Sequence, residues 1–139
     1  YKGKVGGVTV IDDYAHHPTE IAATLRTAAN YPHKTTWCVF QPHTYTRTKA
    51  LFNEFTECFT GADVLVLTDI YAAREKDVYD ISTEKLYNSM KELHPDKEIY
   101  YIGDFDRIAD FIKSNAASGD MVITMGAGDV YKVGELILN

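Results

Sequence analysis

The sequence predicts an α/β fold, an open, doubly wound and mostly parallel sheet of the Rossmann-like type with helices on both faces. Two observations support this prediction. Five apolar runs of strand length, rich in β-branched residues and without helical spacing, recur along the chain. Each run is followed by a helical pattern, and this alternation is typical of a parallel sheet covered on both sides. The predicted strands are residues 8–11, 36–40, 64–68, 99–102 and 121–125.

A sixth strand is predicted at the start of the chain. The segment Lys4–Val8 contains the pair Gly6-Gly7, which is typical of a tight hairpin turn. Residues 1–5 are therefore expected to form one antiparallel edge strand beside the first parallel strand.

The five helices are predicted from apolar residues at helical spacing and from residues that begin or end a helix. Pro18 opens the first helix, which ends before residues 31–32, and Gly61 ends the second. Ser82 caps the third helix, which ends before Pro95, and the fourth closes near residues 118–119. The expected buried stripes are Ile21, Leu25 and Ala28; Leu51, Phe52, Phe55 and Phe59; Leu86, Met90 and Leu93; Ile108, Phe111 and Ile112; and Val133, Leu136 and Ile137.

Length and composition indicate a single domain spanning residues 1–139, long enough to bury an ordinary core. The net charge of -6 argues against a general nucleic-acid-binding surface, which needs a basic face. Cys38 and Cys58 have no close partner in the sequence and are expected to be reduced core residues. No apolar run is long enough for a membrane span, so a cytoplasmic location is expected. The chain begins at Tyr1 instead of Met, which is typical of a piece excised from a longer polypeptide.

Most residues that could carry chemistry follow the predicted strands. Ligands of open α/β sheets bind outside the carboxyl ends of the strands. Three of the five histidines and two of the four arginines fall in such segments, which predicts one site at this edge. The segments are Asp12–Pro18, Gln41–Thr48, Asp69–Glu75 and Gly126–Asp129.

These side chains suit a charged substrate. Imidazole and guanidinium groups suit a carboxylate or a phosphoryl group. Asp12 and Asp13 suit a ribose diol, an ammonium group or a metal, or simply end a strand. Arg47 lies near a predicted helix start, where a cation is unfavourable, and this favours an anion-binding use. No Ser or Cys lies in a nucleophile elbow, so the edge is predicted to position a substrate without forming a covalent intermediate.

Taken singly, each feature has an ordinary explanation. The pair His16-His17 before Pro18 could cap a helix. Gly126-Ala127-Gly128 lacks the third glycine of a dinucleotide fingerprint and the Lys of a phosphate loop, although it could still form a tight turn at a helix start.

Taken together and in order, the motifs resemble the C-terminal domain of the Mur ligases of peptidoglycan synthesis, and among them the member that adds L-alanine. The resemblance covers essentially the whole chain. It rests on Asp12–Glu20, Phe40–His43, Tyr45–Thr48, Thr68–Glu75 and Gly126–Asp129.

The resemblance implies that the chain is the last domain of a three-domain, ATP-dependent ligase. In this family an N-terminal domain holds the UDP-sugar and a central domain holds ATP with Mg²⁺. The C-terminal domain closes over both. The implied reaction activates UDP-N-acetylmuramate as an acyl phosphate, which the amine of L-alanine attacks, in the cytoplasmic stage of cell-wall synthesis on which cell shape and cell division depend. This sequence contains no phosphate loop, so the isolated domain is expected to be inactive.

The resemblance also implies roles for particular residues. Asp13 matches the position that meets the nucleotide ribose, and no metal ligand is assigned to this chain. His16, His43 and Arg47 are the expected catalytic residues. Tyr14, His16, Arg47 and Arg74 are the expected contacts to substrate. Members of the family often have Arg where this chain has Thr44. Two consequences stay open: a weaker hold on the alanine carboxylate, or compensation by Arg47 and Arg74.

Two alternatives remain open from the sequence. A phosphoacceptor receiver domain would share the acidic pair Asp12-Asp13 and Asp69 after the third parallel strand. It would need a Lys at the end of the fifth, where Met125 is followed by Gly126. The other alternative is a related ligase that adds a preformed peptide to the same sugar nucleotide. The segment His43–Thr48 favours the alanine enzyme over it.

Overall fold

The computed structural model describes residues 1–139 as six strands and six helices. The strands are β1 (Gly3–Val5), β2 (Val8–Asp13), β3 (Thr36–Phe40), β4 (Val64–Leu67), β5 (Glu98–Tyr101) and β6 (Met121–Met125). The helices are α1 (Pro18–Ala28), α2 (Tyr45–Ala50), α3 (Phe52–Phe55), α4 (Thr83–Leu93), α5 (Phe105–Asn115) and α6 (Tyr131–Leu138).

The strands form one sheet in the order β1-β2-β6-β3-β4-β5. The β1–β2 pair is antiparallel and every other pair is parallel, which confirms the predicted sheet and its added edge strand. In the parallel part, Met125 is the register partner of both Asp13 and Phe40, and Phe40 is also the partner of Leu67. The loops after β2, β6, β3 and β4 therefore leave the sheet at one level.

Two hydrophobic cores lie on opposite faces of the sheet. On one face α1, α3 and α4 cover residues such as Cys38, Phe40 and Leu65. On the other face α5 and α6 cover residues such as Val10 and Val122. The chain thus leaves the adjacent strands β2 and β6 toward opposite faces. A crevice opens at such a divergence, and ligands of open α/β sheets bind there.

The predicted second helix over residues 51–59 is wrong in its extent. The structure has two short helices instead, and α2 begins inside the segment predicted to be a turn. The Thr44 hydroxyl accepts a hydrogen bond from the Arg47 N–H and caps α2. Leu51, at φ -109° and ψ 20°, leaves the helical region and separates α2 from α3. A Thr cap and a single non-helical residue shift the helix boundaries without changing the buried stripe of Phe55 and Phe59.

Two smaller predictions also need correction. Leu93 is 54% exposed in the last turn of α4, where the sequence spacing placed it inward. Asp12 and Asp13 lie within β2 and not in the loop after it, because β2 pairs with β6 as far as Asp13 and Met125.

The strand order excludes the receiver alternative. Counting only the parallel strands in chain order, the sheet reads first, fifth, second, third, fourth. Receiver domains have the order second, first, third, fourth, fifth. The alternative is therefore wrong, whatever the match of its acidic residues.

Cys38 and Cys58 are free thiols buried in one core, as predicted. Burial raises the pKa of Cys58 to about 12, so its thiol stays protonated at neutral pH. No helix has the length and apolar character that crossing a membrane requires.

Asp120 links three segments at the amino edge of the sheet. Its carboxylate accepts hydrogen bonds from Trp37 Nε1 at 3.1 Å, from the Ala117 N–H at 2.9 Å and from the Thr35 N–H at 3.2 Å. Burial by itself would raise the pKa of this carboxyl. The three donors outweigh that effect and lower the pKa.

We expect Asp120→Ala to lower the free energy of unfolding by about 2–4 kcal/mol at pH 7, because it leaves buried donors such as Trp37 Nε1 unpaired. Urea unfolding of the 139-residue chain measures this loss. Asp110→Ala, at an exposed position of α5, is the control and should change stability by no more than about 0.5 kcal/mol.

The difference in stability between wild type and Asp120→Ala should depend on pH. Because the pKa of Asp120 is lowered on folding, its stabilisation is present above the ordinary carboxyl pKa and is lost as pH falls through the folded value. The difference between wild type and Asp120→Ala should therefore shrink in acid. A difference that stays constant down to acid unfolding would contradict this role of the charge.

Candidate functional site

Asp12 and Asp13 at the end of β2 have different surroundings. Asp12 Oδ1 accepts a hydrogen bond from Thr124 Oγ1 at 2.8 Å, so this side chain fastens β2 to β6. Asp13 Oδ1 accepts from the Ala15 N–H at 2.8 Å, while its Oδ2 has no partner within the chain. Each carboxylate therefore has an Oδ2 without a partner in the chain, and the two differ in what holds Oδ1.

The loop after β2 holds His16 above the carboxyl edge. His17 caps α1, because its Nδ1 accepts from the Thr19 N–H and the Glu20 carboxylate accepts from the His17 N–H. His17 is therefore structural. His16 Nδ1 lies 3.0 Å from the Tyr14 carbonyl oxygen, which fixes the imidazole close to the turn.

Four rings from three loops form a continuous row across this edge. The ring centroids of Tyr14 and His16 lie 5.5 Å apart, and those of His16 and His43 lie 5.7 Å apart. His43 in turn stacks on Tyr71 at 5.6 Å with an interplanar angle of 12°. Tyr14 is 71% exposed, so the row ends at the surface.

The loop after β3 is held by the loop after β4. The Thr44 N–H donates to the Tyr71 carbonyl at 2.8 Å, and the Tyr71 N–H donates to the Pro42 carbonyl at 2.9 Å. Glu75 adds a second link, because its carboxylate accepts from both the N–H and the hydroxyl of Thr46 in the first turn of α2. The Thr46 hydroxyl is the largest cause of the lowered pKa of Glu75.

Thr44 adopts a backbone conformation that side chains rarely tolerate. Its φ of 64° and ψ of 148° lie close to a region occupied almost only by glycine. The Thr44 N–H, hydroxyl and carbonyl are all hydrogen-bonded, the last to Thr48 Oγ1 at 2.7 Å. These bonds hold a strained residue between His43 and Arg47.

His43 is half-buried and its Nδ1 is a buried atom without a hydrogen-bond partner. Desolvation lowers the pKa of His43, and the nearby His16 and Arg47 lower it further, whereas Glu75 acts in the opposite direction. In the protonated ring both nitrogens carry an N–H, and the N–H at the buried Nδ1 would have no acceptor. His43 is therefore a neutral imidazole at pH 7, and fixed positive charge at this edge comes from arginine.

Arg47 and Arg74 are exposed, and neither guanidinium forms a salt bridge or a side-chain hydrogen bond. Arg47 lies in α2, close enough to His43 to influence its titration. No contact places Arg74 beside the rings. The structure thus brings together Tyr14, His16, His43 and Arg47 of the predicted site, and it leaves Arg74 at the margin.

The turn after β6 packs against the other loops through Gly128. Gln41 Nε2 donates to Asp129 Oδ1 at 3.0 Å, and the Asp129 N–H donates to Gln41 Oε1 at 3.1 Å. A Cβ at position 128 would lie 2.5 Å from Tyr71 Cγ and 2.7 Å from Gln41 Oε1. Only glycine permits this approach.

Two open cavities border residues of the candidate site. A shallow depression of about 450 Å³ borders Thr44, Thr46 and Arg47. A larger groove of about 710 Å³ runs between α1 and β2, with Asp13 at one end and apolar residues along most of its length. No group of three or more His, Cys, Asp or Glu side chains is arranged to hold a metal ion.

Sequence reasoning missed the residues that support the site. Tyr71, Glu75, Gln41 and Gly128 lie inside the motifs, yet none was assigned a role. The only sequence feature that could have indicated a role in the site is their position after β3, β4 and β6. The contacts that give them a function join residues of different loops and have no local pattern.

The fold and this edge define a Rossmann-like domain whose strand-end loops gather aromatic, histidine and arginine side chains. The chain belongs to the Mur ligase family, since the family model described as "Mur ligase, glutamate ligase domain" matches residues 1–128. This match confirms the resemblance of its motifs to the C-terminal domain of that family.

Two named ligases are similar to this chain over nearly its whole length. The chain is 55% identical over 99% of its length to the UDP-N-acetylmuramate–L-alanine ligase of Lachnoclostridium phytofermentans, and 57% identical over 99% to that of Lachnospira eligens. It spans about 29% of the length of each relative.

Solved structures share the fold. The UDP-N-acetylmuramate–alanine ligase of Thermotoga maritima superposes with a TM-score of 0.72 at 26% identity, over 96% of this chain and 26% of that chain. A murein peptide ligase from Psychrobacter arcticus superposes with a TM-score of 0.80 at 22% identity, over 98% of this chain and 28% of that chain. The second likeness is evidence of fold alone.

Gly128→Ala tests the packing of the four loops. Because its Cβ would overlap the Tyr71 ring, we expect the free energy of unfolding to fall by about 1–3 kcal/mol. Gly134→Ala in α6 is the matched control, since its Cβ would lie 3.2 Å from a Val10 methyl group and alanine favours a helix. Wild-type stability of Gly128→Ala in urea unfolding would show that the Gly128 contact does not constrain the loops.

Proposed function

We propose that the chain is the C-terminal domain of an ATP-dependent ligase that joins L-alanine to UDP-N-acetylmuramate through an acyl phosphate. The observation that carries the proposal is the 55–57% identity to L-alanine ligases along 99% of the chain. The domain closes over the nucleotide and positions the amino acid, and its partners are the N-terminal and central domains of the same enzyme. Its site faces substrates of the cytoplasm.

The residues at the carboxyl edge fit a nucleotide ribose. Asp13 keeps its Oδ2 free and can accept a hydrogen bond from a ribose hydroxyl. Gly128 lets the turn after β6 approach its neighbours closely, so no side chain from this position obstructs the crevice. Magnesium would be held mainly by the central domain, since this chain offers no cluster of metal ligands.

The basic and aromatic residues would position the second substrate. Arg47 carries a free guanidinium that can hold the alanine carboxylate or the oxygens of the acyl phosphate through paired N–H donors. Arg74 would reach the same ligands from the margin. Holding two anionic reactants at attack distance lowers the entropic barrier to amide formation. The amine of L-alanine then displaces phosphate from the acyl carbon.

His16 and His43 would provide hydrogen-bonding groups close to the reacting atoms, and Tyr14 would close the row of rings over the amino acid. The lowered pKa of His43 keeps its ring uncharged, so it can accept or donate a hydrogen bond at neutral pH. Arg47 supplies the charge and the imidazoles supply orientation.

A ligase that adds a preformed peptide is the alternative that the motifs leave open. The proposal is tested by measuring phosphate release from ATP by the full-length enzyme with UDP-N-acetylmuramate and Mg²⁺. L-alanine should support turnover, and a peptide that begins with L-alanine should not. The reverse preference would reject the alanine ligase.

The isolated chain should not catalyse the ligation of L-alanine to UDP-N-acetylmuramate. It lacks the phosphate loop that holds ATP, and positioning of the phosphates supplies most of the rate in such transfers. Phosphate release by residues 1–139 with all substrates present should stay at the background of a blank without protein. Ligation by this chain alone would contradict the division of labour between the domains.

Arg47→Lys should lower kcat/KM of the full-length enzyme by about ten- to hundredfold, because lysine keeps the charge but loses the paired donors. Kinetics with varied L-alanine measure the effect. The melting temperature should hardly change, since Arg47 makes no salt bridge. Arg26→Lys, at an exposed position of α1, is the control. Full activity of Arg47→Lys would remove this residue from the site.

A further inference from the structure

We propose that Tyr71 is a positioning residue whose ring, held between His43 and Gly128, sets the orientation in which the His43 imidazole meets the amino-acid substrate. The reference to an amino acid rests on the proposed function. The orienting role rests only on contacts within this chain.

The stack between the two rings is close to parallel. The centroids of His43 and Tyr71 lie 5.6 Å apart with an interplanar angle of 12°, whereas His43 meets His16 at 60°. One face of the imidazole is thus supported by the tyrosine ring. The side chain of Tyr71 is still 37% exposed, so the stack forms at the border of the cleft and not in the core.

The Tyr71 ring has little freedom to move. The Tyr71 carbonyl accepts a hydrogen bond from the Thr44 N–H, and the Tyr71 N–H donates to the Pro42 carbonyl, so its main chain is fixed beside His43. On its other side Gly128 leaves so little room that a Cβ would approach Tyr71 Cγ to 2.5 Å. Tyr71 therefore transmits the position of the turn after β6 to the loop after β3.

In this position the His43 imidazole has one nitrogen that a ligand can reach. Its Nδ1 is buried and without a partner, so a ligand can be met through Nε2. The charged or titratable groups that act on the ring are His16 in the loop after β2, Arg47 in α2 and Glu75 in the loop after β4. None of them forms a hydrogen bond to His43, and stacking is the contact that orients it.

The Tyr71 hydroxyl forms no hydrogen bond within the chain, so the role belongs to the aromatic ring. A role of the aromatic ring alone predicts different results for phenylalanine and leucine at position 71. Phenylalanine should replace Tyr71, and leucine, of similar apolar character but without a flat ring, should not.

The first test is side-chain NMR of the histidines in the 139-residue chain, which contains both of its cores. In Tyr71→Leu the chemical shifts of the His43 ring should change and its pKa should rise toward the ordinary histidine value, since desolvation is the main cause of its lowering. Tyr71→Phe should keep both wild-type properties. Tyr31→Leu, at an exposed position on the loop after α1, is the control and should leave His43 unchanged.

Gly128→Ala provides a variant that moves the ring without removing it, and it should shift His43 in the same direction as Tyr71→Leu. It also decides the question if Tyr71→Leu fails to fold. Unchanged His43 signals in whichever of these two variants is folded would overturn the proposal, whether or not the enzyme uses L-alanine.

The second test is the kinetics of the full-length enzyme. Tyr71→Leu should raise KM for L-alanine by about two- to tenfold, with a smaller change in KM for ATP, and Tyr71→Phe should restore the wild-type value. A wild-type enzyme that does not use L-alanine would reject the proposed function and leave the NMR result to judge Tyr71. A normal KM in Tyr71→Leu, with His43 displaced, would show that His43 orientation does not serve the amino acid.

Discussion

The insertion of β6 between β2 and β3 is the constraint on which the site depends. It places the last strand of the chain beside the first parallel strand, and it sets Asp13, Met125 and Phe40 in one row of register partners. Loops that are more than a hundred residues apart in sequence therefore start from the same level. Because α1 and α6 leave β2 and β6 toward opposite faces, the crevice between them remains open to a ligand.

The loops at this edge are fastened to one another as well as to the sheet below them. Gln41 joins Asp129, Glu75 joins Thr46, and Tyr71 fills the space that Gly128 leaves. Part of the folding free energy is spent on this arrangement, since Thr44 is strained and His43 Nδ1 is unpaired. A strained residue of this kind costs about 1–3 kcal/mol and persists where the surroundings enforce it, which is typical of functional sites.

The sequence predicts the fold well because its signals are local and repeated. Buried strands such as Val64–Leu67 stand out as apolar runs, and Pro18 and Ser82 mark helix starts where the structure has them. The boundaries of α2 and α3 could not be predicted, because the Thr44 cap and the break at Leu51 interrupt one continuous apolar stripe. Leu93 has helical spacing but sits in a final turn that the core does not reach.

The candidate site is only partly readable from sequence. The motifs place Tyr14, His16, His43 and Arg47 on one edge, since parallel strands share their carboxyl ends. The neutral state of His43 and the support from Tyr71 depend on contacts across loops, which no spacing records.

We propose that this edge forms the amino-acid side of a cleft that closes over the nucleotide. A crystal structure of the full-length enzyme with nucleotide and L-alanine bound tests this role. The Arg47 guanidinium and His43 Nε2 should lie within hydrogen-bond distance of the amino acid or of the phosphoryl group that it displaces. An L-alanine held by the other domains alone, with the His16–His43–Tyr71 row facing solvent, would contradict it.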